Sequence, residues 1–285
     1  MGKTPVPVWI GTAGYAWPEW VGPFYPDGTS LERMPRFYAT QFPCVEINST
    51  FYRPPTREQL AKLADRTAPG FQFSLKVPRT VSHELRIQAL APFRQAADEL
   101  ASRHRLVGFI LQFPEAYTDT ARHRDWVQRV SDKLYGYPTW VEFRHRSWFR
   151  PRLGDWLRQR GLDLVSIDVP AVEPLFPRGV IDPGTTRVYV RLHSRVPENW
   201  SAGGRVRYEY DYPDDELREW IAKLTAAAPR LTDVHLIFNN CHMSQGPRNA
   251  RRMAELIAAE ASSVLRVVDP PAPPLPRQGT LFDED

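Results

Sequence analysis

The sequence predicts a single-domain α/β protein: a closed (β/α)8 barrel of the TIM type over residues 1–268, followed by a proline-rich tail over 269–285. Three observations carry this. Eight short runs rich in Val, Ile, Phe, Tyr and Trp recur along the chain, each ended by a turn or polar residue. Segments with helical spacing separate most of them, and such alternation is the signature of a parallel sheet. Eight units in about 260 residues suit a closed barrel better than an open sheet. Of 285 residues, 42% are hydrophobic and 25% charged, which is ample for one large core.

In chain order, the first strand is "VWIGTAG" (8–14), followed by a helical pattern over 30–42 with Ser30 as its N-cap. "CVEINST" (44–50) precedes "TREQLAKLADRT" (56–67), where Thr56 and Gln59 form a capping-box pattern. "FQFSLKVP" (71–78) and "LVGFILQFP" (106–114) are followed by helices over 91–104 and 121–134. "TWVEFRH" (139–145) leads into 149–161, where Gly161 suits a helix stop. After "DLVSIDVP" (163–170) the stretch 171–186 reads as loop. "RVYVRLHS" (187–194) and "VHLIFNN" (234–240) complete the strands, with helices over 214–228 and 246–261. No fixed-period repeat argues for a solenoid.

The formal net charge is +4, and nearly all the basic residues are arginine, a mild bias toward anionic partners. The two cysteines, Cys44 and Cys241, lie in or beside apolar runs, which predicts buried thiols and a reducing, cytoplasmic compartment. The N-terminal stretch has no signal-peptide pattern, and no apolar run is long enough for a membrane.

Polar residues cluster where the strands end. Glu46 and Asn48 close the second strand, Lys76 the third, Gln112 the fourth, and Glu142, Arg144 and His145 the fifth. Asp168 closes the sixth, Arg191 and His193 the seventh, and Asn239 and Asn240 the eighth. In a barrel these ends converge on one rim, where unpaired charge would be costly unless used. Alternation puts Glu142 with Arg144, Arg191 with His193, and Glu46 with Asn48 on shared faces. The expectation is three carboxylates (Glu46, Glu142, Asp168) around two arginines and a lysine, with His145 able to swing inward from the turn.

Arginines and Lys76 in such a set would grip phosphate or carboxylate. A carboxylate beside His193 would serve as a general base, and Lys76 beside an arginine could act as a Schiff-base nucleophile. A divalent metal on the carboxylates and histidine is a further option, although no HxH, HExxH or CxxC spacing is present. No GxGxxG or P-loop motif marks a nucleotide cofactor. Aromatics near the rim, including Tyr15, Phe51, Tyr52, Phe113, Trp148, Phe149 and Trp200, could stack sugars or bases, or form a satellite core under loops. A mutually neutralising ion-pair network is the plain structural alternative.

The segments "IGTAGYAWPEW", "VEINSTFYRPP", "FQFSLKVPRTVSH", "GFILQFP", "WVEFRHRSW", "SIDVP", "VYVRLHS" and "FNN" together resemble the YecE-like family, domain of unknown function 72. The resemblance spans about 8–262 and implies a TIM-type barrel but no established reaction. Ala13 and Tyr15 depart from the family's usual first motif. The favoured function is an enzyme acting on nucleic-acid phosphodiesters in DNA replication or repair; the alternatives are a hydrolase or isomerase of sugars or sugar phosphates, and a non-catalytic adaptor.

The tail adds a partner. "QGTLF" (278–282) looks like the short peptide by which bacterial proteins dock on the replicative sliding clamp. Leu281 and Phe282 would anchor in an apolar pocket and Gln278 supply the polar contact. Gly279 and Thr280 depart from the commoner residues and predict weaker binding.

Overall fold

The computed structural model describes residues 4–272. Eight parallel strands close into a barrel: β1 Val6–Ala13, β2 Cys44–Ile47, β3 Gln72–Lys76, β4 Leu106–Gln112, β5 Thr139–Glu142, β6 Asp163–Asp168, β7 Arg187–Leu192 and β8 Asp233–Phe238. Each pairs with its sequence neighbour, and β8 pairs with β1 to complete the ring. The helices are α1 Met34–Tyr38, α2 Ser49–Tyr52, α3 Arg57–Asp65, α4 Arg79–Ser82, α5 Leu90–Ser102, α6 Ala121–Leu134, α7 Leu153–Arg158, α8 Pro197–Ala202, α9 Asp214–Ala227 and α10 Gln245–Glu260.

Every predicted strand is present, because a strand covered on both faces must be apolar throughout and so stands out from its neighbours. The Thr56–Gln59 capping box starts α3 as expected, and no helix or strand forms over 171–186. Two details differ from expectation. Ser30 is not an N-cap: α1 begins only at Met34, with Arg33 before it. A ninth strand, β9 Leu265–Val267, pairs with Val6–Val8 of β1. It takes the edge of β1 that lies below the β2 pairing, which begins at Gly11. The chain then passes Gly70, which sits just ahead of β3 and against Pro271. Residues 269–272 therefore leave at the N-terminal face of the barrel.

Register decides which residues look inward. Glu46 pairs with Ser74, and Gln112 with Glu142. Ile167 pairs with Arg191, and Arg191 with Ile237. Following this parity round the ring puts Trp9, Trp140, Tyr189 and His235 in the barrel interior near its floor. Their rings pack together, with Tyr189 stacked on His235 at 5.8 Å. One irregularity occurs between β3 and β4, where the register shifts at Phe73 and Ser74. Gly108 sits there with φ +153°, and a Cβ on it would lie 2.3 Å from the Pro138 carbonyl oxygen, so only glycine fits.

Candidate active site

The upper barrel is spanned by a buried ion-pair frame. Arg191 on β7 donates from Nε and Nη2 to Glu46 on β2, at 2.9 and 2.6 Å, and from Nη1 to Glu142 on β5, at 2.5 Å. Tyr189 donates its hydroxyl to Glu46 at 3.1 Å and meets Ser74 Oγ at 2.6 Å. Arg191 is 1% exposed and both carboxylates 0%. Burial opposes its charge, but the two carboxylates outweigh that and raise the guanidinium's pKa. Burial likewise works against the Glu142 carboxylate, yet Arg144 and Arg191 hold its pKa well below the usual range. Arg191 is thus a strut between strands, with its donors committed, rather than a free anion grip.

Above the strut lie groups with capacity to spare. Arg144, 6% exposed, pairs through Nε with Glu142 Oε1, while its Nη1 has no hydrogen-bond partner among the described residues. His193 is fully buried. Burial and then Arg144 push its pKa down to about 3, so the ring is neutral. Its Nδ1 meets Asn239 Nδ2 at 2.7 Å, and its Nε2 lies 3.3 Å from Arg144 Nη2 and 3.7 Å from Glu142 Oε1. Asn48 reaches Asn239 at 3.5 Å, and its own Oδ1 is buried without a partner among the described residues.

Lys76 completes the set. It ends β3 pointing inward, and its Nζ lies 4.1 Å from the centre of the Phe51 ring. The nearby carboxylates are already engaged by Arg191 and Arg144. Burial, then Arg191, lowers the amine to about 7, so near neutrality roughly half of it is uncharged. Thr50 donates to the Lys76 carbonyl at 2.7 Å and fixes the turn after β2 against the end of β3. His83, just after α4, packs edge-on to Phe51 at 5.1 Å and accepts or donates at Nδ1 to Ser82 Oγ at 2.9 Å. Burial and the charges of Lys76 and Arg79 lower His83 to about 4.

A cavity of about 460 Å³ lies among loops on this side of the barrel, and Lys76, Arg144 and His193 do not line it. Its walls come from loops that follow strand ends: Trp17, Tyr52, Arg205, Arg207 and Tyr208, with Glu19 as the acid. Tyr52 is 80% exposed. Trp200 of α8 is buried beneath, with Arg144 4.7 Å and Arg207 4.5 Å from its ring and its Nε1 donating to Glu115 at 2.8 Å.

Several residues expected at the site lie elsewhere. Asp168 pairs with Leu192, not Arg191, so it faces the helices. There it accepts from Arg195 Nε at 2.9 Å and Trp220 Nε1 at 2.6 Å, tying the segment after β7 to α9. Asn240 also faces outward, bonded to Asn249 and the Tyr210 carbonyl. His145 caps the turn after β5, accepting from the Ser147 amide at 3.1 Å. Trp148 is core, stacked 4.0 Å from Phe143. Tyr15 lines an outer groove beside α3 with Arg53 and Lys62. Gln112 faces inward, bonded to the Phe113 carbonyl at 2.9 Å. His83, Arg207 and Tyr208 were not singled out from sequence; the pattern "KVPRTVSH" carries His83 but nothing in it marks proximity to Lys76.

No group of three or more His, Cys, Asp or Glu among the described residues is placed to hold an ion, and guanidiniums already occupy Glu46 and Glu142. Both cysteines are free and buried. No helix among the described residues is long and apolar enough to cross a membrane.

Fold and site together define a closed parallel β/α barrel with a buried ion-pair frame at its C-terminal face. The chain belongs to the DUF72 family, whose model, described as "Protein of unknown function DUF72", matches residues 9–277. It is similar to UPF0759 protein YunF of Bacillus subtilis (strain 168), 24% identical over 96% of this chain and 100% of that one. UPF0759 protein YecE of Escherichia coli (strain K12) is 25% identical over the same shares. Among solved structures, a DUF72 family protein from Thermotoga maritima superposes with a TM-score of 0.80 at 27% identity, covering 88% of this chain and 99% of that one. One from Enterococcus faecalis shares the fold, with a TM-score of 0.77 at 20% identity over 88% and 95%.

Proposed function

We propose that this barrel is an enzyme for a small anionic substrate bearing a ring or polyol part, such as a sugar phosphate. The observation that supports it is an amine outside any ion pair among the described residues, Lys76, within the electrostatic reach of a buried arginine, Arg144, whose Nη1 is unpartnered. The arginine would hold the anion, the amine would begin the reaction, and the aromatic walls would stack the ring. A nucleic-acid phosphodiester, the other substrate suggested by the sequence, would have to bring its backbone down to carboxylates that are 0% exposed. That favours the small substrate. The two buried free thiols fit a cytoplasmic setting.

The test is calorimetry with inorganic phosphate, ribose 5-phosphate and a single-stranded oligonucleotide. Ribose 5-phosphate should bind saturably, and Arg144→Met should weaken it by at least about tenfold, as loss of a charged hydrogen bond implies. Binding of the oligonucleotide alone would overturn the reading and restore the phosphodiester one.

The C-terminal peptide bears on location rather than chemistry. Gln278, Leu281 and Phe282 lie outside the described residues, and their docking on a bacterial sliding clamp is proposed from the sequence alone. A peptide of residues 270–285 should bind a clamp with micromolar-class affinity, as short segments that order on binding do. Leu281→Ala/Phe282→Ala should abolish it; unimpaired binding by that variant, or none by the intact chain, would sink the idea.

A further inference from the structure

We infer that Lys76 works covalently, forming an imine with a carbonyl substrate that also carries an anionic group. This rests on the small-anion reading and gives that anion a carbonyl, as the open-chain form of a sugar phosphate has or, outside the polyol class, a 2-oxo acid. Three features carry it. The Lys76 amine lies on the Phe51 ring, 4.1 Å from its centre, rather than in an ion pair. Its charged neighbours, apart from the two committed carboxylates, are the guanidiniums of Arg191 and Arg144. A desolvated lysine beside cations is an activated nucleophile. Arg144, whose charge acts on Lys76, is 94% buried and offers an unpartnered Nη1, and Asn48, just past the end of neighbouring β2, an unpartnered Oδ1 among the described residues.

The uncharged Nζ attacks the carbonyl carbon, the C=O π pair moves to oxygen, and one proton passes from Nζ to that oxygen to give the neutral carbinolamine. Loss of that hydroxyl as water, with one further proton, leaves the iminium on Nζ. His83, half-buried and held by Ser82, packs against the same Phe51 ring and is neutral. It would pass these protons. Arg144 holds the substrate's carboxylate or phosphate, and the aromatic cavity takes the remainder.

The experiment incubates the intact protein with cyanoborohydride and, separately, pyruvate, ribose 5-phosphate and acetone, then maps adducts by peptide mass spectrometry. Lys76 should be modified, with trypsin failing to cut after it, while Lys62, Lys133 and Lys223 react slowly. Labelling by one of the anionic carbonyls should exceed that by acetone by about tenfold or more. Pyruvate and ribose 5-phosphate decide between the 2-oxo acid and the sugar phosphate. The Lys76→Arg variant, which keeps a long basic side chain but has no primary amine, should show no adduct. If Lys76 is labelled no faster than the surface lysines while Arg144-dependent binding of ribose 5-phosphate persists, the imine is overturned and the small-anion reading stands. If neither labelling nor binding occurs, both fall.

Discussion

Replacing Arg191 with methionine should cost about 3–5 kcal/mol of folding stability, because it strands two buried carboxylates. The guanidinium joins β7 to β2 and β5 through three hydrogen bonds of 2.5–2.9 Å. Without it, Glu46 keeps only Tyr189, and Glu142 keeps Arg144 and the neutral His193. At about 2–4 °C per kcal/mol for a chain of this class, the melting temperature should fall by on the order of 10 °C. The pH dependence identifies the cause. Orphaned carboxylates have raised pKa values, so the penalty is full near neutral pH and shrinks as acid protonates them. Adding Glu46→Gln and Glu142→Gln to Arg191→Met should recover more than half of the loss. Urea denaturation at pH 7 and pH 4.5 measures both effects. A loss below about 1 kcal/mol would place this triad with ordinary surface pairs and refute the strut.

Lys76→Met should stabilise the fold while ending reactivity at the mouth, with the gain depending on pH. The folded-state amine titrates near 7, against 10.5 for the free group. Below 7 both states hold the proton and the burial penalty is complete. Between 7 and 10.5 the unfolded chain binds more protons than the folded one, so wild-type stability rises with pH by up to about 1.4 kcal/mol per unit. Solvent at the mouth reduces that ceiling. The advantage of the methionine variant should therefore be largest at pH 6 and gone by about pH 10. Urea midpoints for both proteins across this range are the measurement, and a flat difference would return Lys76 to an ordinary exposed amine.

These two residues show how much the sequence disclosed. The strands were legible because burial on both faces forces apolar runs, and the polar ends of those runs stood out against them. Parity within a strand was equally legible: Glu46 with Asn48, and Arg191 with His193, do share faces. Parity between strands was not. Which face of β6 looks inward depends on its register with β7, and that register sends Asp168 to Arg195 and Trp220. Asn240 went wrong for the same reason, one residue past an inward Asn239. Trp148 was indistinguishable from a ligand-facing ring, since only packing against Phe143 and Tyr117 makes it core. His83 escaped notice because a four-residue helix, α4, has no period to read and brings it to Phe51 by tertiary packing alone. Strand β9 was too short to stand out, and its place is set by the free lower edge of β1.

That lower edge separates two jobs in space. β9 carries the chain beneath the barrel, and Pro271 rests by Gly70 at the foot of β3, whereas Lys76 and Arg144 sit at the top. A partner that captured residues 278–282 would grip the molecule by its base. The mouth would be left unobstructed, facing away from whatever surface the base is moored to. Such a mooring would raise the local concentration of the barrel near its host and leave its rate per molecule the same.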